Sequence, residues 1–356
     1  MRCIASCTGV LTREINLKIK TLKKIFSYTA PLVLGLLAVW LVFRGQDLHK
    51  IAQSFEQINY FWVAGAAVVS LLGHLSRAVR WRMLLRPLGY TPSVASAFWA
   101  VMINYIANLA LPRMGEVSRC AAVLRTDAVP MPVSLGTVVT DRLVDMCSFL
   151  LVFVLALAFN FGFFRQPLQN LVGKAAGLGV LAGLGVVVLA GLVLGYFYYQ
   201  KHKDKILQNK LMASINKFFV GLWSGLASIK KVRSPLNFLV HSFAIWFSYL
   251  LCMYCMLMAF GVTSMLTLND ALILLTMGSL GFIVPVQGGI GAYHAVVSWS
   301  LVQLGVYYAT AQPQLHFSID TAQALAFATV AHAILTLVSV VAGLAGLGVV
   351  FLKKAA

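Results

Sequence analysis

The sequence predicts an all-α protein, a polytopic membrane helix bundle, and three observations carry that prediction. Hydrophobic residues make up 60% of the 356 and charged residues 11%, whereas a soluble domain carries about 25% charged residues. Apolar stretches near the ~20 residues needed to cross a bilayer recur along the whole chain. Two of these stretches are interrupted by one shared pattern, Pro-x-x-Gly, at Pro112 to Gly115 and again at Pro285 to Gly288. Paired breaks in matching positions of two halves point to inverted repeats with re-entrant, broken-helix hairpins. We therefore expect one integral membrane domain over 1–356, built from two span-hairpin-span repeats, 59–160 and 235–352.

The elements follow in order. Residues 1–25 carry Arg2, Arg13, Lys18, Lys20, Lys23 and Lys24 against Glu14 and read as a cytoplasmic tail. The N-terminus lacks a small-residue cleavage site after an apolar core, so the first span, Phe26–Phe43, reads as retained. Asn59–Val79 is the second span, and the basic segment that follows places Arg77, Arg80, Arg82 and Arg86 around Trp81. Trp81 suits the interfacial aromatic belt, and Arg82 and Arg86 suit the inner headgroup layer. Arg77 and Arg80 lie one turn deeper, and both a cytoplasmic anchor and a bundle-facing position stay open for them.

Ser93–Leu111 enters the membrane and stops at Pro112, which has no N–H to continue the helix. The second arm, Gly115–Arg125, restarts within the membrane. Val133–Asn160 is a full span, followed by an outer loop over Phe161–Lys174 and a glycine-rich span over Ala175–Tyr199. Over 201–233, leucines, isoleucines and phenylalanines recur every three or four residues among lysines. That predicts an amphipathic helix lying on the inner leaflet, with a partner-binding helix as the alternative. Pro235–Phe260 is the next span. Leu268–Val284 breaks at Pro285, restarts at Gly288 and runs to Leu304. Gly305–Ile319 reads as an outer loop, and Thr321–Leu352 as the last span.

The net charge of +18 reflects basic cytoplasmic loops that face anionic lipid rather than nucleic acid. Most of the 28 Lys and Arg fall on the proposed inner side, which puts both termini in the cytoplasm. The six cysteines form no framework. Cys252 and Cys255 have CxxC spacing without the further ligands a structural zinc needs, so no metal and no cofactor is expected. There is no nucleophile elbow, no P-loop and no HExxH, and the chain is read as a non-enzyme.

The charges inside the apolar segments are the candidate site. A charge at bilayer depth costs about 2.5–3.5 kcal/mol on insertion scales and persists where it is paired or useful. Here the group comprises Arg113, Glu116 and Arg119 beside the first break, with Asp141, Arg142 and Asp145 on the following span, and Arg80. Glu116 and Arg119, at i, i+3, are placed to pair. Asp141 and Asp145, at i, i+4, share one helix face and are candidates to pair with Arg113, Arg119 or Arg142. Gly115 at the first break, and Gln287, Gly288 and Gly289 at the second, would let an anionic headgroup approach helix N-termini. His294 lies a turn into the second arm. Two readings stay open for the charges: a headgroup-binding cluster, or mutual neutralisation that ties the hairpin to its neighbour.

At LPRMGEVSR, DRLVD, VPVQGGIGAYH and the LSRAVRWRMLL ending of the second span, the chain resembles the lysylphosphatidylglycerol synthase transmembrane-region family, also called flippase-like or UPF0104. The resemblance covers nearly the whole chain. The family's Gly-Glu-x-x-Arg element corresponds to Gly115, Glu116 and Arg119. Its Glu-Arg-x-x-Asp element corresponds to Asp141, Arg142 and Asp145, with Asp in place of Glu. Its Pro-Gly-Gly-x-Gly element corresponds to Gln287, Gly288, Gly289 and Gly291, with Gln in place of Pro, and a Glu common in the family is His294 here. The resemblance implies a lipid-translocating role in the cytoplasmic membrane. The family's aminoacyl-transferring domain is absent from these residues.

The expected partners are membrane lipids: an anionic or modified phospholipid, or an isoprenyl-phosphate lipid. A homo-oligomer is among the assemblies the sequence allows. The rival readings are a membrane-embedded transferase for a lipid-linked sugar or phosphate, and a non-catalytic subunit of an envelope-lipid assembly.

Overall fold

The computed structural model describes residues 58–111, 114–165, 227–284, 286–315 and 317–352, with a few isolated positions besides. The expected tail 1–25, the spans 26–43 and 175–199, most of the amphipathic segment 201–233, and Pro112, Arg113 and Pro285 lie outside the described residues. All regular structure among the described residues is helical. Among the described residues the eight α-helices with full ranges are α1 (Tyr60–Leu85), α2 (Val94–Ala110), α3 (Met114–Asp127), α4 (Met131–Phe159), α5 (Pro235–Ala259), α6 (Leu268–Gly281), α7 (Ala292–Ala311) and α8 (Thr321–Leu352). Four of them are long and apolar enough to cross a membrane: α1, α4, α5 and α8. Among the described residues, a long helix, two shorter ones and a long helix therefore occur twice.

Local chemistry sets the helix starts. Asn59 accepts the Phe61 N–H at 3.1 Å and caps α1. Ser93 caps α2 through the Ser96 N–H at 3.0 Å. Thr267 and Asp270 form a reciprocal capping box at α6, with the Thr267 N–H to Asp270 Oδ2 at 2.7 Å. Asp320 and Gln323 do the same at α8. These caps satisfy orphan N–H groups that no intrahelical carbonyl reaches.

The main seam joins α1 and α5, antiparallel along their full length. Ile58 bridges Phe260 at one end, the Cys252 thiol donates to the Ala66 carbonyl midway, and Arg80 reaches Ser242 near the other. Gly73 sits so close to Ser248 that a Cβ would fall 2.1 Å from its hydroxyl. Small residues are what permit such an approach between membrane helices.

Each pair of shorter helices folds into an antiparallel hairpin. In the first, Ser96 near the start of α2 bonds Thr126 at the end of α3 at 2.7 Å, and Asn108 near the end of α2 meets Gly115 at the start of α3. In the second, Tyr308 at the end of α7 donates to Asp270 at the start of α6 at 3.0 Å. The apolar core is correspondingly double. One cluster wraps the first hairpin with Trp81, Met102, Ile103, Val123 and Val138. The other wraps the second with Leu257, Leu274, Leu301 and Phe327. In contrast, α4 exposes Leu143, Met146, Leu150, Leu151 and Val154, a face suited to lipid tails.

Several sequence expectations are corrected. Trp81 is fully buried and its indole N–H donates to Thr137 Oγ1 at 3.0 Å, so it belongs to the bundle interior rather than an interfacial belt. The segment 305–311 continues α7, and the connection to α8 is shorter than the loop expected over 305–319. Residues 161–165 are helical and bury Phe163 and Phe164. The second arm begins at Ala292, after a 3-10 turn over Gln287–Gly289, and not at Gly288.

Candidate functional site

The charged cluster draws on three helices. α1 contributes Arg77 and Arg80, which sit three residues apart and thus on one face. α3 contributes Glu116 and Arg119, and α4 contributes Asp141, Arg142 and Asp145. Asp141 is the hub. Its Oδ1 accepts from Arg80 Nε at 3.0 Å and Nη2 at 2.7 Å, and its Oδ2 accepts from Arg119 Nη2 at 3.0 Å. Asp145 accepts from Arg80 Nη2 and Arg77 Nη1, each at 2.5 Å. Arg77 also donates to the Tyr249 hydroxyl on α5 at 3.1 Å. Arg119 places its guanidinium 3.8 Å from the centre of the Trp81 ring, a cation–π contact.

Of the expected pairings, Arg119 with Asp141 and Arg142 with Asp145 form, whereas the intrahelical pair of Glu116 with Arg119 does not. Glu116 binds Arg142 at 3.0 Å, and Arg119 binds Asp141. Cross-helix partners win because α3 and α4 pack directly, and both charges lie on the side facing α4. The open question over Arg77 and Arg80 is resolved as well: both are buried in the bundle. Charges brought out of water are tolerable only with close partners and filled hydrogen bonds. Here four arginines (77, 80, 119, 142) meet three carboxylates (116, 141, 145), leaving one positive charge in excess among the described residues.

The hydrogen bonding is also incomplete. Nε and Nη1 of Arg119, Nε of Arg77, Nε of Arg142 and Oε2 of Glu116 are buried with no partner among the described residues. Unfilled guanidinium N–H groups and an excess positive charge together suit an anion such as a phosphate.

Gly115 at the first break is engaged within its own hairpin. A Cβ on Gly115 would lie 2.3 Å from the Asn104 carbonyl oxygen and 2.5 Å from the Asn108 amide. The Gly115 N–H is taken by Asn108 Oδ1 at 2.7 Å. Gly115 therefore serves the close crossing of α2 and α3, and its N–H is committed within the hairpin. The sequence carried the signal for this contact: Asn104 and Asn108, at i, i+4, are polar residues on one face of an otherwise apolar helix.

In the second hairpin, Gly288, Gly289 and Gly291 all have positive φ, at 57°, 76° and 84°. L-residues with a side chain adopt that region only with strain. The tight turn this permits lies against the first hairpin. Gln287 Nε2 donates to the Ala110 carbonyl at 3.3 Å, and a Cβ on Gly288 would be 2.5 Å from Leu109 Cδ2. The two tips are in contact. His294 Nδ1 accepts the Gly291 N–H at 3.3 Å, and His332 on α8 bonds the Gly288 carbonyl at 2.8 Å. The structure thus divides the predicted residues into two groups. Arg80, Glu116, Arg119, Asp141, Arg142 and Asp145 form one cluster, and Gln287, Gly288, Gly289 and His294 form the turn at the second tip. Arg113 lies outside the described residues.

A family model described as the lysylphosphatidylglycerol synthase transmembrane region matches residues 28–343. The chain belongs to that family. The chain is 24% identical over 345 residues to glycosyltransferase AglD of Haloferax volcanii, a match covering 88% of this chain and 53% of that protein. It is 25% identical over 130 residues to a UPF0104 membrane protein of Methanocaldococcus jannaschii, covering 36% of this chain and 39% of that protein. The matches thus take in about half or less of either relative's length. No solved structure matches the chain.

Proposed function

We propose that this membrane protein translocates a polar or anionic lipid, phospholipid or isoprenyl-phosphate, across the cytoplasmic membrane, with both termini inside. The observation that carries the reading is the contact of the two hairpin tips, Gln287 against Ala110 and Gly288 against Leu109, in the same fold as an arginine-rich buried cluster. Two broken elements meeting within the membrane are what an alternating-access transporter uses at its substrate site. The antiparallel seam of α1 and α5 supports the inverted relation of the halves, because each of these helices opens one long-short-short-long set. The excess positive charge, together with the unfilled N–H groups of Arg119, favours a phosphate headgroup, with the acyl tails left in the bilayer.

The test is reconstitution of the purified chain in liposomes with headgroup-labelled phosphatidylglycerol, phosphatidylcholine and an isoprenyl phosphate. Protein-dependent movement of the anionic lipids between leaflets, faster than that of phosphatidylcholine, is expected. Leaflet exchange equal to protein-free liposomes for every class overturns the proposal.

A second reading comes from the similarity to a glycosyltransferase: action on a lipid-linked sugar or phosphate. It predicts a covalent change in the lipid, seen as a mass shift, that disappears in Asp141→Asn. Translocation predicts lipids of unchanged mass.

A further inference from the structure

We propose that the Glu116 carboxylate stands in for a ligand phosphate, occupying an anion site between α3 and α4 until a phosphate ester displaces it from Arg142. This deepens the headgroup-binding reading above, and rests on it, by naming the residue that regulates access to the site.

Two ion pairs cross the seam between α3 and α4 side by side. Glu116 meets Arg142 at 3.0 Å, and Arg119 meets Asp141 at 3.0 Å. Glu116 and Arg119 lie one turn apart on α3, and Asp141 and Arg142 are adjacent on α4. The pairs differ in burial. The side chains of Arg119 and Asp141 are both 0% exposed, whereas Arg142 is 38% and Glu116 26% exposed. Glu116 and Arg142 thus form the rim of the cluster, and Arg119 with Asp141 forms its interior.

The interior pair is incompletely bonded. Arg119 gives Nη2 to Asp141 and lays its guanidinium 3.8 Å from the centre of the Trp81 ring. Its Nε and Nη1 are buried without a partner. A guanidinium withdrawn from water with open N–H groups calls for a further acceptor. The two aspartates are already committed. Asp141 accepts from Arg80 and Arg119, and Asp145 from Arg77 and Arg80.

Glu116 is the carboxylate held least firmly. It has Arg142 alone, through Oε1, while Oε2 has no partner. An ion pair at a partly exposed rim contributes little beside a buried one. A phosphate ester is not tethered to α3. Its tetrahedral oxygens can accept from Arg142 Nη2 and from the buried, unpartnered Arg142 Nε, and from the open N–H groups of Arg119 as well. The Arg119–Asp141 pair continues to tie α3 to α4 when Glu116 leaves. Four arginines face three carboxylates among the described residues, so Glu116 can turn to the exposed rim and stay ionised beside the incoming anion. In this arrangement Glu116 lowers the affinity of the site and keeps its arginines from neutral lipid.

The test is calorimetric titration of the full chain in detergent with dioctanoylphosphatidylglycerol. Dioctanoylglycerol is the control without phosphate, and glycerol phosphate the control without tails. Glu116→Gln keeps the shape of the side chain and removes its charge. It should bind the phosphatidylglycerol at least several-fold more tightly than wild type, with no gain for dioctanoylglycerol. Glu116→Ala should show the same gain. A gain shared by glycerol phosphate assigns the site to soluble phosphate esters as well as lipid, and a gain confined to phosphatidylglycerol assigns it to lipid alone. Arg142→Gln should weaken binding, and adding Glu116→Gln to it should restore nothing, because the guanidinium that the two anions compete for is gone. Affinity in both Glu116 variants equal to or below wild type, a gain of the same size with and without Arg142, or an equal gain for dioctanoylglycerol overturns the proposal. The readout is equilibrium binding. Tighter binding without leaflet exchange would leave this site standing and overturn translocation, whereas leaflet exchange without tighter binding would do the reverse.

Discussion

The two hairpins share a plan and differ in chemistry. The first is charged: α3 is tied to α1 and α4 through Asp141, Asp145, Glu116 and four arginines. The second has an uncharged tip: Gly288, Gly289 and Gly291 form it, with His294 and His332 bonding its backbone. Their packing follows suit. The charged hairpin is locked by interactions that are costly to break one at a time. The uncharged tip is held by a few hydrogen bonds of about 0.5–1.5 kcal/mol each. The contrast sets a charge-locked element in one half against a glycine turn held by a few hydrogen bonds in the other.

The largest expected effect breaks the charged side. Asp141→Asn leaves Arg80 and Arg119 without their shared carboxylate, and removal of one member of a buried network costs about 3–5 kcal/mol. A large fall in thermal midpoint, measured in detergent, is expected. Next comes Gly115→Ala, in which the new methyl meets backbone oxygen at 2.3 Å and cannot be relieved by a side-chain rotation. Overpacking of this kind costs about 1–3 kcal/mol. The same substitution at Gly288 sharpens the comparison. There the obstacle is Leu109 Cδ2, the end of a flexible side chain, and the positive φ adds about 1 kcal/mol. Leu109→Ala should recover part of the loss in the double variant, whereas no partner change of that kind should rescue Gly115→Ala. The smallest effect is Gln287→Ala, which removes one hydrogen bond between the tips. It should change stability by about 1 kcal/mol or less and yet alter leaflet exchange of labelled phosphatidylglycerol more than stability alone predicts.

Much of the architecture was readable from residue order. Pro112 and Pro285, with the glycines behind them, located both hairpins, and the first arm expected over 93–111 is observed as Val94–Ala110. Composition and span length sufficed for the four long helices among the described residues because backbone groups in lipid leave few alternatives to helix. Side-chain partners were less legible. Arg119 with Asp141 was among the expected pairings, but spacing within α3 also favoured Glu116 with Arg119, and tertiary packing instead set Glu116 against Arg142 of α4. Trp81 shows the same limit: a hydropathy profile gives depth along the chain, not direction around the helix. Arg77 was recoverable from its i, i+3 relation to Arg80. The role of Gly115 was hidden because a glycine that admits a ligand and a glycine that admits a neighbouring helix have the same sequence signature.

The central claim, that parting of the two tips passes a lipid headgroup, is tested most directly by locking them. Ala110→Cys and Gln287→Cys, in a background lacking the native cysteines, can be joined by a short reducible bifunctional thiol reagent in proteoliposomes. Exchange of headgroup-labelled phosphatidylglycerol between leaflets should fall to the protein-free rate on cross-linking and recover on reduction. Transport that continues unchanged with the tips covalently joined would contradict the account.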